Sequence, residues 1–276
     1  MPKTMDKVSK ILLNIALLMT CLLYLLPLAW LLLSSVKPGS ELFSYPLTIL
    51  PEMWQFSNFI DAWQRLDFFK YFQNTFFVAT ISTVLTIFIS ATCGYALAKY
   101  DYKWLKFFFL CMLATTMIPT EVVMNPTFVV IRELGLYDSL AGIILPTINT
   151  ATGIFMFRQF FSTVPDDMLE SARIDGASEG RIFFSIMFPL ARPIVITLAI
   201  FSFQWRWNDY IWPLIVLNDQ NKFTLQVALR SIVGAEYINW TMLLSASVLS
   251  IIPMVILFLV FQRYIIGSDS SSGLKG

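Results

Sequence analysis

The strongest constraint on the fold of this chain is a set of apolar stretches, each long enough to cross a lipid bilayer. Asp, Glu, Lys and Arg are absent from three of them: Ile11 to Val36, Tyr71 to Ala98 and Tyr237 to Gln262. A helix needs about 20 apolar residues to cross a hydrocarbon core of about 30 Å. Three further stretches are shorter or interrupted by charges: Phe107 to Pro126, Ser139 to Phe157 and Pro193 to Asn218. The sequence therefore predicts an all-α membrane protein with six transmembrane helices.

The composition agrees with a membrane location, because 57% of the residues are hydrophobic and only 13% are charged, against about 25% charged in ordinary soluble domains. The first apolar stretch is longer than the apolar core of a signal peptide, about 7 to 15 residues, so we expect a retained span. Cysteines 21, 93 and 111 lie in apolar stretches, where buried thiols act as small hydrophobes. Neither a disulfide nor a metal site is predicted.

The distribution of Lys and Arg predicts the orientation, because cytoplasmic loops carry more of them. Twelve of the 19 fall in residues 1–10, 99–106, 158–192 and 263–275, on one side of a six-span chain. This side is predicted to be cytoplasmic. The predicted organisation is then a cytoplasmic N-terminus (1–10), a six-span domain (11–266) and a cytoplasmic tail (267–276). The six-span domain includes an external segment (37–70) and a cytoplasmic insert (159–192). A net charge of +1 offers no basic surface for nucleic acid.

The external segment contains a pattern typical of a short amphipathic helix that follows a capping residue, Ser57. Its apolar residues recur at helical spacing and are expected on one face: Phe59, Ile60, Trp63, Leu66 and Phe69. Two interpretations remain open. The helix lies at the membrane interface, with its aromatic side chains at headgroup depth, or it covers the ends of the spans.

The cytoplasmic insert is predicted to form a helix, a turn and a second helix. Thr163 is the predicted N-cap of the first helix, which begins with Pro165 and two aspartates and runs to about Ile174. Gly176 follows where a left-handed residue commonly ends a helix, and Ser178 is placed to cap the second helix. That helix has an apolar face and is expected to end at two prolines: Ile182, Phe183, Ile186 and Met187, then Pro189 and Pro193.

The surface of the first insert helix is shallow, because Ser171 and Ala172 are small, and it is bordered by Glu170 and Arg173. Another backbone could approach closely there. The residues alone allow two interpretations, a docking surface for a partner or an ordinary solvated loop. A DNA-binding helix-turn-helix is disfavoured, because no basic recognition surface accompanies the pattern.

The insert resembles the coupling loop of bacterial ABC importer permeases. Glu170, Ser171 and Ala172 are followed after three residues by Gly176, and after nine more by Ile186 to Pro189. Ser171 stands where the family pattern has Ala, and Phe188 where it has Leu. The resemblance extends from about Leu26 to the C-terminus and is closest to the carbohydrate-uptake branch, in particular the second permease subunit of the maltose-transporter type. Further matching segments are Gly94–Tyr100, Met117–Pro119, Leu134–Asp138, Ile174–Ser178, Trp207–Tyr210, Trp212–Leu214 and Gly273–Gly276.

This resemblance implies a type I ABC importer permease fold in the bacterial cytoplasmic (inner) membrane, with both termini in the cytoplasm. The implied partners are a second homologous permease, two ATP-binding subunits and an external solute-binding protein that delivers a carbohydrate. The residues implied in coupling to the ATPase are Glu170, Ser171, Ala172, Arg173, Asp175, Gly176 and Ala177. The chain lacks the phosphate-binding pattern G-x-x-x-x-G-K-[ST], so it is predicted not to be an enzyme. ATP and Mg²⁺ are expected on the partner subunits, and no cofactor is expected here.

Polar residues inside spans are costly and usually face a cavity or a protein interior, so they are candidates for the substrate path. Asn208 and Asp209 lie beside Trp205 and Trp207, toward the outer leaflet of the fifth span. Aromatic faces, an amide and a carboxylate suit a sugar. Alternatively, the tryptophans anchor the span at the interface and Arg206 pairs with Asp209.

Two other polar residues, Glu121 and Asn125, lie between Pro119 and Pro126 in the third span. They are predicted to cap a broken helix near the outer gate. The polar loop Asn218 to Asn239 corresponds in position to the family loop that reaches toward the binding protein.

Two other functions remain open. An ion-coupled secondary transporter would need acidic residues in the spans, where this chain has Glu121 and Asp209. A scaffold subunit would keep the insert but make no substrate contact. The sequence does not select the sugar or polyol derivative.

Overall fold

The computed structural model of the chain describes residues 7–234 and 237–266, with side chains for residues 9–234 and 237–262. All regular structure in these ranges is helical, as predicted. In chain order the α-helices are α1 Lys7–Ser35, α2 Ser57–Arg65, α3 Phe68–Lys99, α4 Lys103–Thr115, α5 Thr120–Glu133, α6 Leu140–Thr147, α7 Ala151–Phe161, α8 Asp166–Ile174, α9 Glu179–Ile182, α10 Phe188–Leu190, α11 Arg192–Trp207, α12 Ile211–Val216, α13 Leu225–Val233 and α14 Trp240–Ile266. Most of the predicted N-terminal segment, 1–10, and all of the predicted tail, 267–276, lie outside the described residues.

The membrane spans take two forms. Three single helices are long and apolar enough to cross a bilayer: Ser9–Ser35, Phe68–Lys99 and Trp240–Gln262. Three helix pairs pass the same test together but are bent, by 111° between α4 and α5, 42° between α6 and α7, and 74° between Glu179–Leu190 and α11. The described residues therefore contain up to six spans, in agreement with the predicted number.

The chain divides into two compact units, of which the first comprises Met1–Phe68 and Leu229–Ile252. In this unit the segment after α1 is held by buried polar groups. The Lys37 ammonium donates to the carbonyl of Thr48 and lies 5.0 Å from the ring centre of Trp30. The Asn58 amide donates to the carbonyls of Ser35 and Lys37 at 3.0 and 2.9 Å. These bonds fix α2 against the end of α1.

The start and the orientation of α2 differ from the prediction. Ser57 does not cap the helix, because the helix begins at Ser57 itself and Phe56 is the residue before it. The predicted apolar face is also divided: Leu66 is buried, whereas Ile60 and Trp63 are exposed. The buried side of the helix is formed by Asn58 and Ala62. The exposed apolar side favours a location at the membrane interface over a cover for the span ends.

The second unit comprises Phe69–Ala228 and Pro253–Gly276, and two buried clusters lie among its described residues. One cluster joins the last turns of α3 to α7 and the insert. It contains Ala91, Tyr95, Phe157, Phe161, Leu169, Ile182, Phe183, Met187, Ala191 and Leu198. The other cluster joins the first half of α3 to α5, α6 and α12. It contains Val78, Ile131, Ile143, Ile144, Trp212, Val216 and Leu217.

Small polar residues link the spans between these clusters. The Thr83 hydroxyl donates to Ser202 at 3.3 Å, and the Thr147 hydroxyl donates to Ser82 at 3.3 Å. Thr83, Ser82 and Ser202 are all buried. Small residues and short hydrogen-bonding side chains allow helices in a membrane to pack closely, and here they join α3 to α6 and α11.

The fifth span is shorter than predicted. Its helix, α11, ends at Trp207 with Asn208 as C-cap, and residues 211–216 form the separate helix α12. The stretch Pro193 to Asn218, predicted as a span interrupted by charges, is thus divided between two helices, and the backbone breaks at Asn208 and Asp209. The predicted polar loop Asn218 to Asn239 is wrong in part. Residues Leu225–Val233 form α13, of which Leu225, Val227 and Ala228 are almost completely buried.

Candidate functional site

The first helix of the insert, α8, begins at Asp166 and ends at Ile174, and its predicted end is confirmed. Thr163 is not its cap, because the Thr163 hydroxyl donates back to the carbonyl of Phe160 at 2.7 Å and so closes the end of α7 instead. Pro165 occupies the N-cap position without a side-chain bond. Asp166 and Asp167 lie in the first turn, where the helix dipole favours carboxylates.

The turn between the insert helices is closed by a left-handed glycine, as predicted. Gly176 has φ +79°. Its N–H donates to the carbonyl of Arg173, and the N–H of Ala177 donates to that of Ala172, both at 3.0 Å. These two bonds satisfy the last carbonyls of α8 and form a Schellman motif. The predicted cap of the second helix is also confirmed, since the Ser178 hydroxyl accepts from the N–H of Arg181 at 3.3 Å.

The second helix contains a wide turn. It runs from Glu179 to Leu190, and residues Phe183–Met187 form a π-helix, in which the N–H of Phe188 donates to the carbonyl of Phe183. Pro189 was predicted to end the helix, but the helix passes it and ends at Leu190. Proline disturbs the carbonyl four residues earlier, and the π turn lies where that disturbance falls. The direction changes only at the 74° bend before α11.

The insert is packed rather than loose. Leu169 of α8 and Ile182 of α9 are almost completely buried, and so is Met187 of the π turn. They belong to one cluster with Phe157 and Phe161 of α7. Of the apolar face predicted for the second helix, Ile182, Phe183 and Met187 are buried, and only Ile186 is partly exposed. The insert therefore presents its outer side from a fixed base.

The predicted coupling residues lie together on that outer side. Those with exposed side chains or backbone are Glu170, Ser171, Arg173, Asp175 and Gly176, whereas Ala172 and Ala177 are half-buried against the core. The sequence analysis missed Ile174, which is 86% exposed at the end of α8, and Met168, which is 43% exposed. Exposed apolar residues beside a polar rim are typical of contact surfaces. The signal was Ile174 itself, an apolar residue four positions after Glu170 and therefore on the same face.

A hydrogen-bonded cluster around Glu179 joins the insert to the end of α3. The hydroxyls of Tyr95 and Tyr100 donate to one carboxylate oxygen at 3.1 and 2.7 Å. Arg173 Nε of α8 donates to the other oxygen at 2.7 Å. The Arg173 guanidinium and the tyrosine hydroxyls lower the pKa of Glu179 to about 2, so the carboxylate is charged at neutral pH. In the sequence both tyrosines stand out only within the segment Gly94–Tyr100, and no local pattern predicts a role for Glu179.

A second connection lies one turn away. The Lys99 ammonium donates to the carbonyl of Val164 at 2.5 Å and to the carboxylate of Asp166 at 2.7 Å. The Lys99 side chain is only 4% exposed, and its bond to Asp166 lowers the pKa of that carboxyl. The start of α8 and the start of α9 are therefore both attached to the end of α3 and the residue that follows it.

The two tryptophans near the candidate substrate path, Trp205 and Trp207, differ in exposure. Trp205 is 44% exposed and stacks on Phe201 with a ring separation of 6.1 Å. Trp207 is 1% exposed and packs between Phe203 and Phe72 at 5.6 and 5.5 Å. Only the Trp205 ring is accessible, so two aromatic faces beside one sugar, as the sequence suggested, are not available.

The polar residues next to these tryptophans end α11. The Asn208 amide donates to the carbonyl of Gln204 at 3.0 Å, and the backbone N–H of Asp209 donates to the carbonyl of Arg206 at 3.4 Å. Among the residues that the structure describes, Arg206 and Asp209 do not form the ion pair that the sequence suggested. The Arg206 guanidinium instead donates to the carbonyl of Thr147, at the break between α6 and α7.

The candidates in the third span do not meet those in the fifth. The predicted break is present, since α4 and α5 meet at 111° and Glu121 lies in the first turn of α5. A cavity of about 140 Å³ lies beside this turn, lined by Thr120, Val123, Met124, Thr127, Pro146, Thr147 and Trp212. Glu121 and Asn125 are each one position further along the helix, so they face away from it and are exposed. None of the five path candidates lines this cavity.

This all-helical chain, with broken spans and an exposed insert held on a packed base, has the architecture of a membrane permease subunit. Residues 90–267 match the family of binding-protein-dependent transport system inner membrane components. A solved structure of a bacterial ABC transporter involved in the import of the acidic polysaccharide alginate has a TM-score of 0.84 and 26% identity, covering 96% of this chain and 99% of that chain.

Relatives of nearly equal length agree with this match. The arabinooligosaccharides transport system permease protein AraQ of Bacillus subtilis (strain 168) is 41% identical over 98% of this chain and 97% of that protein. The diacetylchitobiose uptake system permease protein NgcG of Streptomyces coelicolor is 33% identical over 94% and 87%. The sn-glycerol-3-phosphate transport system permease protein UgpE of Yersinia pestis is 34% identical over 92% and 93%. The chain belongs to the binding-protein-dependent transport system inner membrane component family and is a carbohydrate ABC transporter permease subunit, which confirms the predicted fold.

Proposed function

We propose that this subunit imports an oligosaccharide with energy from ATP hydrolysed by two partner subunits. A second homologous permease completes the path, and an external solute-binding protein delivers the substrate. The family membership and the names of the relatives AraQ and NgcG, an arabinooligosaccharides permease and a diacetylchitobiose permease, support this assignment. The ion-coupled alternative loses support, because the matching family is one of binding-protein-dependent transport systems and the similar solved structure is an ABC transporter.

The observation that carries the proposal is the surface of α8. Glu170 and Ser171 are exposed on a helix that is buried at Leu169, and the exposed Arg173, on the Leu169 side, is bonded to Glu179. Ile174 adds an apolar contact at the helix end. A fixed helix with a polar rim and two exposed apolar side chains, Met168 and Ile174, suits a cleft on an ATPase subunit. Closure of the ATPase dimer around ATP would then favour one arrangement of the spans, since only a differential interaction shifts a conformational equilibrium.

The proposed orientation places α8 and both termini in the cytoplasm and residues 37–70 outside. Support comes from the excess of Lys and Arg on the α8 side. An ATPase subunit that uses cellular ATP must meet the permease on this side.

The proposed substrate path includes Trp205, Asn208 and Asp209, with Glu121 and Asn125 near the break in the third span. An accessible Trp205 ring and a free face of α5 suit contacts shared with the second permease better than a pocket inside this chain. If the subunit is a scaffold, Trp205→Ala should leave substrate affinity unchanged. If Trp205 lies on the substrate path, the same substitution should raise the KM of uptake.

The coupling proposal is tested with Glu170→Lys in the transporter reconstituted in vesicles, with a labelled arabino-oligosaccharide as the probe. The substitution reverses the charge of the polar rim, and we expect uptake to fall about tenfold or more while the spans remain folded. Glu133→Lys is the matched control, because Glu133 is an exposed glutamate at the end of α5. Uptake by Glu170→Lys at the level of Glu133→Lys would contradict a coupling role for the insert.

A further inference from the structure

The carboxylate of Glu179 gathers three donors from two separate parts of the fold. Tyr95 belongs to the last turns of α3 and Tyr100 follows its end, whereas Arg173 belongs to α8. Glu179 itself begins α9. One side chain thus connects both insert helices to the end of a span. We refer to Glu179, Tyr95, Tyr100 and Arg173 as the Glu179 clamp.

The clamp is suited to transmitting force, because hydrogen bonds to a charged group are shorter and stronger than neutral ones. The carboxylate accepts from all three donors at 2.7 to 3.1 Å. Tyr95 is buried within the aromatic cluster of the insert, next to Phe161 and Phe183. Its hydroxyl therefore cannot turn away without moving the ring from that cluster.

The helix attached to the clamp, α3, is long and apolar enough to cross a bilayer. α3 is one unbroken helix of 32 residues, so a displacement at Tyr95 is carried along its length. Near the clamp α3 also touches α7 without spare room, because a Cβ on Gly94 would lie 2.5 Å from Phe157 Cβ. Farther along, Thr83 bonds to Ser202 of α11. A shift of α8 and α9 would thus reach α3 and, through it, the neighbouring spans.

We propose that Glu179, together with Tyr95 and Tyr100, is a positioning residue for transport that transmits the movement of the insert to α3. This inference rests on the proposed coupling role of the insert and assigns the point at which the movement enters the spans. Apolar packing under the insert stabilises its fold, whereas the hydrogen bonds from the tyrosine hydroxyls to Glu179 fix the orientation of the insert helices relative to α3. Replacing Tyr by Phe separates the two contributions, since the ring remains and the bond is lost.

The test measures the response of the spans to ATP in the reconstituted complex with its ATPase subunits. Spin labels are placed at Phe76→Cys on α3 and Glu133→Cys on α5, two exposed positions, after Cys21, Cys93 and Cys111 are changed to Ser. The distance between the labels is measured by pulsed electron paramagnetic resonance with and without ATP. We expect the fraction that shifts on ATP binding to fall about fivefold or more in Glu179→Gln and in Tyr95→Phe/Tyr100→Phe.

The matched control is Tyr102→Phe, because Tyr102 is exposed and stacks on Tyr100 at 6.4 Å without a bond to the carboxylate. A full ATP-driven shift in the Glu179 and tyrosine variants would overturn the clamp. So would a loss of ATPase co-purification or of thermal stability large enough to explain the missing shift, because Glu179 would then serve folding alone.

Glu170→Lys distinguishes the clamp from the coupling role on which it rests. A missing shift in Glu170→Lys together with a normal shift in the clamp variants would overturn the clamp alone. A normal shift in Glu170→Lys, or no shift in the parent protein, would overturn the coupling role and the clamp together.

Discussion

At the scale of single residues, the geometry of the insert depends on Gly176. Its positive φ of +79° costs an ordinary L-residue about 1 to 2 kcal/mol, and the two bonds of the Schellman motif require it. The space around Gly176 is open, since a Cβ there would meet nothing within 4 Å. The requirement is therefore conformational rather than steric, and it sets the angle between α8 and α9.

Three substitutions of Gly176 should differ in their effect on uptake and stability, because the new residues differ in how readily they adopt a positive φ. Gly176→Asn should keep most of the uptake activity, because Asn adopts positive φ more readily than other residues. Gly176→Ala should lower the free energy of unfolding by about 1 kcal/mol. Gly176→Pro should uncouple uptake from ATP hydrolysis while the spans remain folded, because proline fixes φ near −65° and lacks the N–H that bonds to Arg173.

The measurements are uptake, ATP hydrolysis and thermal unfolding of the reconstituted complex. Equal uptake in the Pro and Asn variants would show that the turn does not set the working geometry of the insert.

Sequence patterns predicted those residues whose role is local. Gly176 and Ser178 act on backbone groups within five residues, and their roles are confirmed. Thr163 had two local partners available and bonds to the end of α7, a choice that propensity does not decide. The two tyrosine partners of Glu179 lie 79 and 84 residues away in sequence, and only the fold reveals that they meet.

At the scale of elements, the packing of α3 against α7 leaves no room for a side chain. A Cβ on Gly94 would lie 2.5 Å from Phe157 Cβ and 2.8 Å from the backbone nitrogen of Arg158. Backbone atoms cannot yield as the end of a long side chain can, so the two helices must separate if this glycine is replaced. Close helix contacts of this kind are common in membranes, where small residues at interfaces increase packing contacts.

We expect Gly94→Ala to lower the free energy of unfolding by about 1 to 3 kcal/mol, the usual cost of overpacking. Gly180→Ala is the matched control. Gly180 lies in α9 with open space around its Cα, so an alanine there should be neutral or add up to about 1 kcal/mol through helix propensity. Thermal unfolding of the purified variants in one detergent measures both effects, and equal destabilisation by the two substitutions would contradict the close contact.

The spans were predicted well where the sequence is uninterrupted and less well where they bend. Hydropathy located α1, α3 and α14 to within a few residues, because length and apolarity alone define such helices. The end of α11 at Trp207 and the burial of α13 depend on tertiary contacts. Trp207, for example, is covered by Phe72 of a distant span. The substrate path was predicted from residue type, and the structure separates its members by their helix faces.

At the scale of the whole molecule, six spans determine which loops share a side of the membrane. Residues 37–70 and the insert are separated by an odd number of predicted spans and should lie on opposite sides. Two very exposed positions report on this arrangement, Tyr45 at 98% and Ile174 at 86% exposure.

Single cysteines at these positions test the orientation in a protein whose native cysteines are replaced by Ser. Tyr45→Cys should react with a membrane-impermeant maleimide added outside intact cells. Ile174→Cys should react only after the membrane is opened, because the excess of Lys and Arg predicts that its side is cytoplasmic. Labelling of both cysteines in intact cells would rule out the proposed topology.

The break between α6 and α7 has a consequence for any rearrangement of this protein. The carbonyl of Thr147, freed at the break, accepts from Arg206 and from the Thr86 hydroxyl. Straightening the pair would return this carbonyl to the helix and strand a guanidinium in surroundings of low dielectric constant, which is costly in a bilayer. The bend between α6 and α7 is therefore rigid rather than a hinge, and the two helices are expected to move as one rigid body.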